Sequence, residues 1–136
     1  MRIVAVTLSL LLCGATFAAA EGLTQTFNAP IDKVWANSES VLKAMGWDID
    51  KSERGIGWLT TDSRKLDGED YGVYAKGMRH SLRLQFKAVD ANRTAVTVDR
   101  TVFRRERILW IDKDEPAKAL DQNVEKELLS AIGKTL

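Results

Sequence analysis

Residues 79–103, RHSLRLQFKAVDANRTAVTVDRTVF, decide the fold. From Arg79 to Val89 the side chains alternate. Leu82, Leu84, Phe86 and Ala88 share one face, and Ser81, Arg83, Gln85 and Lys87 share the other. A period of two is the signature of a half-buried strand. Asp90-Ala91-Asn92-Arg93 is a turn, and Thr94–Phe103 alternates again with Val96, Val98 and Val102 in phase. Two alternating runs about a short polar turn predict an antiparallel hairpin. A polar face on each strand predicts a sheet covered on one side only.

On the N-terminal side, Leu23–Asn28 alternates and ends at Ala29-Pro30, so a first strand is expected there. Pro30 suits the start of a helix, where its missing N–H costs nothing. Ile31, Val34, Trp35, Val41, Leu42 and Met45 follow at helical spacing, with Asp32 in the first turn and Gly46 placed for a left-handed C-terminal cap. Trp47–Asp50 and Ile56–Thr61 read as two strands about the turn Ser52–Gly55, with Trp47 and Trp58 as candidates for a cross-strand pair. Residues 62–77 are polar and glycine-rich and read as a long loop with ragged strand at its C-terminal end. On the C-terminal side, Ile108–Ile111 extends or caps the sheet. Asp114-Glu115-Pro116 is expected to open a last helix with Leu120, Val124, Leu128, Ala131 and Ile132 as its stripe. The expected fold is therefore α+β: an antiparallel sheet packed against two helices in two layers.

Residues 1–20 read as a signal peptide. Arg2 is the charged start, Ile3–Cys13 the apolar stretch, and Ala18-Ala19-Ala20 the small residues before a cleavage between Ala20 and Glu21. A retained N-terminal anchor is the alternative. Lipid attachment at Cys13 is disfavoured because Leu12 stands where a lipidation motif has Gly or Ala. Residues 21–136 form one expected domain.

Cleavage removes the chain's one Cys, and with it thiol chemistry and disulfides. The full sequence carries 20 Lys and Arg against 19 Asp and Glu, a balance that argues against nucleic-acid binding by counterion release. One His and one Cys cannot build a structural zinc site. No metal, cofactor or catalytic set is expected. His80, the one histidine, reads as an ordinary surface or strand-end residue. The acidic clusters Asp67–Asp70 and Asp112–Glu115 lack calcium-loop spacing and read as a solvated turn and a helix cap. Trp35 belongs to the core stripe.

Contact residues remain. Arg104, Arg105 and Arg107 form the densest basic segment, placed to meet anionic headgroups or an acidic partner, or simply to guard a strand end against aggregation. Trp110 follows them, and Tyr71 and Tyr74 lie in the 62–77 segment.

The segment Phe27-x-Ala29-Pro30-x-Asp32-x-Val34-Trp35, with Leu42, Gly46, Ile49, Gly55 and Thr60-Thr61-Asp62, resembles the repeated domain of the outer-membrane assembly lipoprotein BamC and related small envelope proteins. That resemblance implies a helix-grip fold, a periplasmic location and a non-enzymatic role in contacting an envelope protein, with peripheral contact to the outer membrane. Unlike BamC, this chain has one such domain and no proper lipidation motif. A small-molecule or lipid carrier of helix-grip type is the alternative, and a hydrolase the third reading. A cavity between sheet and helix would favour the carrier.

Overall fold

The computed structural model describes residues 22–136, so the signal segment and its Ala20–Glu21 cleavage point lie outside the described residues. The elements are β1 (Leu23–Phe27), α1 (Ile31–Ala44), β2 (Ile49–Glu53), β3 (Trp58–Thr61), β4 (Arg64–Lys65), β5 (Glu69–Asp70), β6 (Ala75–Asp90), β7 (Arg93–Ile108), β8 (Ile111–Ala117) and α2 (Asn123–Thr135). All strands join one antiparallel sheet with the path β1-β7-β6-β3-β2; β4 and β5 pair with β6, and β8 pairs with β7.

This overturns the expected two-layer helix-grip. About half of the described residues are in strands and 23% in helices, an architecture closer to all-β. The hairpin is the cause. β6 and β7 run 16 residues each, in one register from Ala75↔Arg107 to Ala88↔Thr94, with a shift before the last pair Asp90↔Arg93. At roughly 3.4 Å per residue such strands reach about 54 Å. The helices have 14 and 13 residues, or about 20 Å each. They cover less than half of the sheet's length.

Where they do cover it, the core is filled. Val34, Trp35, Val41 and Leu42 of α1, and Leu128, Leu129 and Ile132 of α2, meet Leu59, Leu82, Leu84, Phe86, Val96 and Val98 of the sheet. Trp35 and Phe86 lie 4.6 Å apart. Asn37 ties the helices together by donating to the Ile132 carbonyl (2.9 Å). The first helix starts directly after Pro30, its N-cap residue, and ends in a Schellman motif. Gly46 has φ +85°, its N–H donates to Lys43 O (3.1 Å), and the Trp47 N–H donates to Leu42 O (2.9 Å).

Three further expectations fail. The long loop expected in the 62–77 segment is broken up by β4 and β5, while the strand expected at its C-terminal end is the start of β6. No helix begins at Asp114-Glu115-Pro116. These residues belong to β8, opposite Arg105, Arg104 and Phe103. The Asp114 carboxylate binds Arg105 rather than capping a helix, and Pro116 is tolerated on an outer strand. Helix α2 starts nine residues later, and Leu120 is fully exposed before it. Finally, Trp47 and Trp58 do not pair. Trp47 is buried just before β2, while Trp58 faces the opposite side of the sheet beneath Arg83.

Candidate functional site: the uncovered arm

Beyond the pair His80↔Val102 the hairpin leaves the helices behind. Residues 75–79 and 103–108, joined by β5 and β8, form an arm that carries no helix among the described residues. Its two faces differ. One carries Arg105 and Arg107 opposite Asp114 and Asp112. Arg105 grips Asp114 with two hydrogen bonds, Nε to Oδ1 (2.9 Å) and Nη2 to Oδ2 (3.1 Å). Arg107 Nε donates to Asp112 Oδ1 (2.6 Å), and its Nη1 reaches Asp70 (3.4 Å) and the Gly72 carbonyl (3.3 Å). These bonds raise the pKa of both arginines above the usual guanidinium value and hold Asp112 and Asp114 below the usual carboxylate range. The basic segment is thus largely neutralised within the arm. Arg104 is exposed on the other face, in register with Met78 and Glu115.

An open cleft of about 360 Å³ lies at the arm's far end, lined by Glu69, Tyr71, Tyr74, Lys76, Arg107 and Ile108 among others. Tyr71 and Tyr74 are brought together by a tight turn, in which the Tyr71 N–H donates to Tyr74 O (2.7 Å). The Tyr71 phenol is held above its usual pKa, first by its hydrogen bond to Glu69 and then by that residue's charge. Trp110 joins them. Its N–H donates to Val73 O (3.3 Å), and its ring lies over Gly72, where an added Cβ would stand 3.7 Å from it. Five of the six contact residues singled out by the sequence therefore meet on one arm end: Tyr71, Tyr74, Arg105, Arg107 and Trp110.

Sequence reasoning missed Ile108, Leu109 and Ile111, each at least 60% exposed beside Trp110. Leu109 and Trp110 are the two loop residues between the paired Ile108 and Ile111, and both have positive φ (50° and 68°). That is the pattern of a type I′ hairpin turn, which strongly prefers Asn-Gly. The sequence signal for such a turn was absent, so the turn was invisible.

His80 also departs from expectation, being buried in mid-strand. Its Nδ1 accepts from Arg100 Nε (2.9 Å), and Arg64 Nε lies 3.4 Å from its Nε2. A neutral imidazole accepts at one nitrogen only, so the shorter contact is the bond. Arg64 is held instead by the Met45 carbonyl (3.0 Å) and by the Trp47 ring, 3.8 Å below it. Desolvation first, then the charges of Arg100, Arg64 and Arg79, push the His80 pKa down to about 4. Nearby, Glu125 is buried at the start of α2 with Oε1 lacking a partner, and burial raises its pKa. Among the described residues, no three His, Cys, Asp or Glu side chains converge to hold a metal ion.

The chain matches no family description and no curated protein sequence.

Proposed function

We propose that this protein is a non-enzymatic interaction module of the bacterial envelope, working in the periplasm after cleavage at Ala20–Glu21 and contacting an envelope protein partner through its uncovered arm. The observation that carries this reading is the mismatch between strands and helices. It leaves an arm whose cleft is rimmed by Tyr71, Tyr74 and Ile108 beside the charged side chains of Glu69, Lys76 and Arg107. Tyrosines next to charged side chains suit the recognition of a partner side chain. The envelope setting is supported by the resemblance of residues 27–62 to the BamC-like domain. Those residues span the first helix, its cap and the β2–β3 hairpin. The carrier alternative asks for a void between helices and sheet, but that space is occupied by Trp35, Leu42, Leu84, Phe86 and Leu128.

Site-specific photo-crosslinking in intact cells tests the reading. A crosslinker at Tyr74 is expected to give discrete protein adducts, and one at Gln25, on β1 away from the arm, to give none. Identical adducts from both positions, or none from Tyr74, would overturn it.

A further inference from the structure

Val96, Val98, Arg100 and Val102 alternate onto one face of β7, and Arg100 is the charge in that apolar row. Its Nε donates to His80 Nδ1 (2.9 Å), which fixes the guanidinium. Its two Nη groups take no partner among the described residues. Glu125, in the first turn of α2, is only 4% exposed, and its Oε1 has no hydrogen-bond partner. The charge of Arg100 acts on Glu125, yet the two form no ion pair. A buried carboxylate oxygen left unpaired destabilises a fold unless some further group meets it. Both side chains line one open cleft of about 610 Å³, walled by Val102, Pro116, Ala117 and Leu120. A second cleft, of about 310 Å³, shares Arg100, Val102 and residues 118–121 with it. Lys118 and Asp121 are the other charges at this place, and Asp121 already accepts from the Asn123 N–H (3.0 Å). Leu120 stands fully exposed at the cleft.

We propose that this cleft binds the free head of an α-amino acid: the ligand carboxylate on the Arg100 Nη groups, its ammonium on Glu125 Oε1, and its apolar side chain against Val102, Ala117 and Leu120. The two protein charges select this chemistry together. A simple anion would satisfy Arg100 and leave the Glu125 oxygen unpaired. A simple cation would satisfy Glu125 and face the guanidinium. A molecule with both charges on one carbon completes both groups with charge-assisted hydrogen bonds, and a guanidinium edge suits a carboxylate in two-point contact. The cleft is within the size range of small-molecule sites, with a few polar groups set in an apolar wall. It is larger than the head alone needs, so a side chain of several carbons has room. The site lies outside the filled core between helices and sheet. It shares no residue with the cleft of Tyr71 and Tyr74, so the inference goes beyond the proposed partner contact and is independent of it.

The test titrates the isotope-labelled protein, as the cell processes it, with L-leucine, N-acetyl-L-leucine and L-leucinamide, and follows the backbone amides by NMR. Leucine at millimolar concentration is expected to give saturable shifts at residues 100–102 and 117–125. Blocking its ammonium or its carboxylate should each weaken binding roughly tenfold or more, the scale of one hydrogen bond to a charged group. Glu125→Gln keeps the side chain's size and should no longer distinguish leucine from N-acetylleucine. Arg100→Gln should no longer distinguish leucine from leucinamide. If that variant fails to fold, Glu125→Gln and the three ligands on wild type decide the matter. The absence of saturable shifts with leucine overturns the proposal. So does equal affinity for all three ligands, tightest binding of N-acetylleucine, or a Glu125→Gln protein that discriminates as wild type does. Crosslinking at Tyr74 is read separately and bears on the partner contact alone.

Discussion

Arg105 and Asp114 face each other across the β7–β8 ladder and are joined by two parallel hydrogen bonds of 2.9 and 3.1 Å. The pair fixes β8 to the hairpin where no hydrophobic core lies beneath it. Asp114 remains substantially exposed, so solvent screens the attraction. A double-mutant cycle on Arg105→Ala and Asp114→Ala is expected to give a coupling of only about 0.5 kcal/mol, shrinking in high salt. A coupling unchanged by salt would contradict this account.

The same carboxylates set an acid limit for the arm. Asp112 and Asp114 are held below their usual range by Arg107 and Arg105 respectively. A depressed carboxylate contributes stability above its unfolded pKa and loses it as pH falls through the folded one. Amide exchange in β8 is expected to speed up relative to the core as pH drops below about 4, after correction for intrinsic rates. Protection that stays level with the core's would count against the ion pairs.

His80 acts in a higher window. Its folded pKa of about 4 lies below the ordinary value of 6.5, so it is neutral in the native state and protonates more readily when unfolded. Stability is fully present above 6.5 and declines as pH falls toward 4. The urea midpoint is expected to fall between pH 7 and pH 5, and His80→Asn should flatten that slope. An equal slope in both proteins would exclude His80 as its source.

Gly68 has φ +93°, and a Cβ there would run into the Lys76 carbonyl of β6. Gly68→Ala should open the β5–β6 pairing and raise amide exchange at residues 69–79, with the helix-covered core unchanged. Uniformly increased exchange would mean that arm and core unfold as one.

Core truncation behaves differently. Leu42 and Leu128 are fully buried between the helices and the sheet. Replacing either with Ala is expected to cost about 2–5 kcal/mol, read as a lower urea midpoint. A loss below 1 kcal/mol would show that the core collapses around the gap.

The hairpin was legible because its alternation is local: each of Leu82, Leu84, Val96 and Val98 reports its own face. The first helix was legible for the same reason, with Pro30 and Gly46 marking its ends. The extra length of β6 and β7 was not. Residues such as Lys76, Met78, Arg104 and Glu106 carry no apolar alternation because no helix covers them, so only backbone pairing reveals the strand. β8 was misread as a helix start because Asp114-Glu115-Pro116 fits an N-terminal cap, and its actual role depends on Arg105, nine residues away. The site was partly legible, since exposed aromatics and arginines stand out in any sequence. What hid its apolar tip was the Leu109–Trp110 turn, whose residues are the opposite of those its geometry prefers.

The placement of α2 also bears on how the chain folds. Leu128 and Ile132 close the core against α1, and Asn37 bonds to a carbonyl 95 residues further along. The strand β1 likewise pairs with residues 94–98 rather than with anything near it. Contacts this distant in sequence make folding slow, and the core cannot be sealed until α2 has arrived. A polypeptide delivered from its N-terminus would remain open until α2 is released.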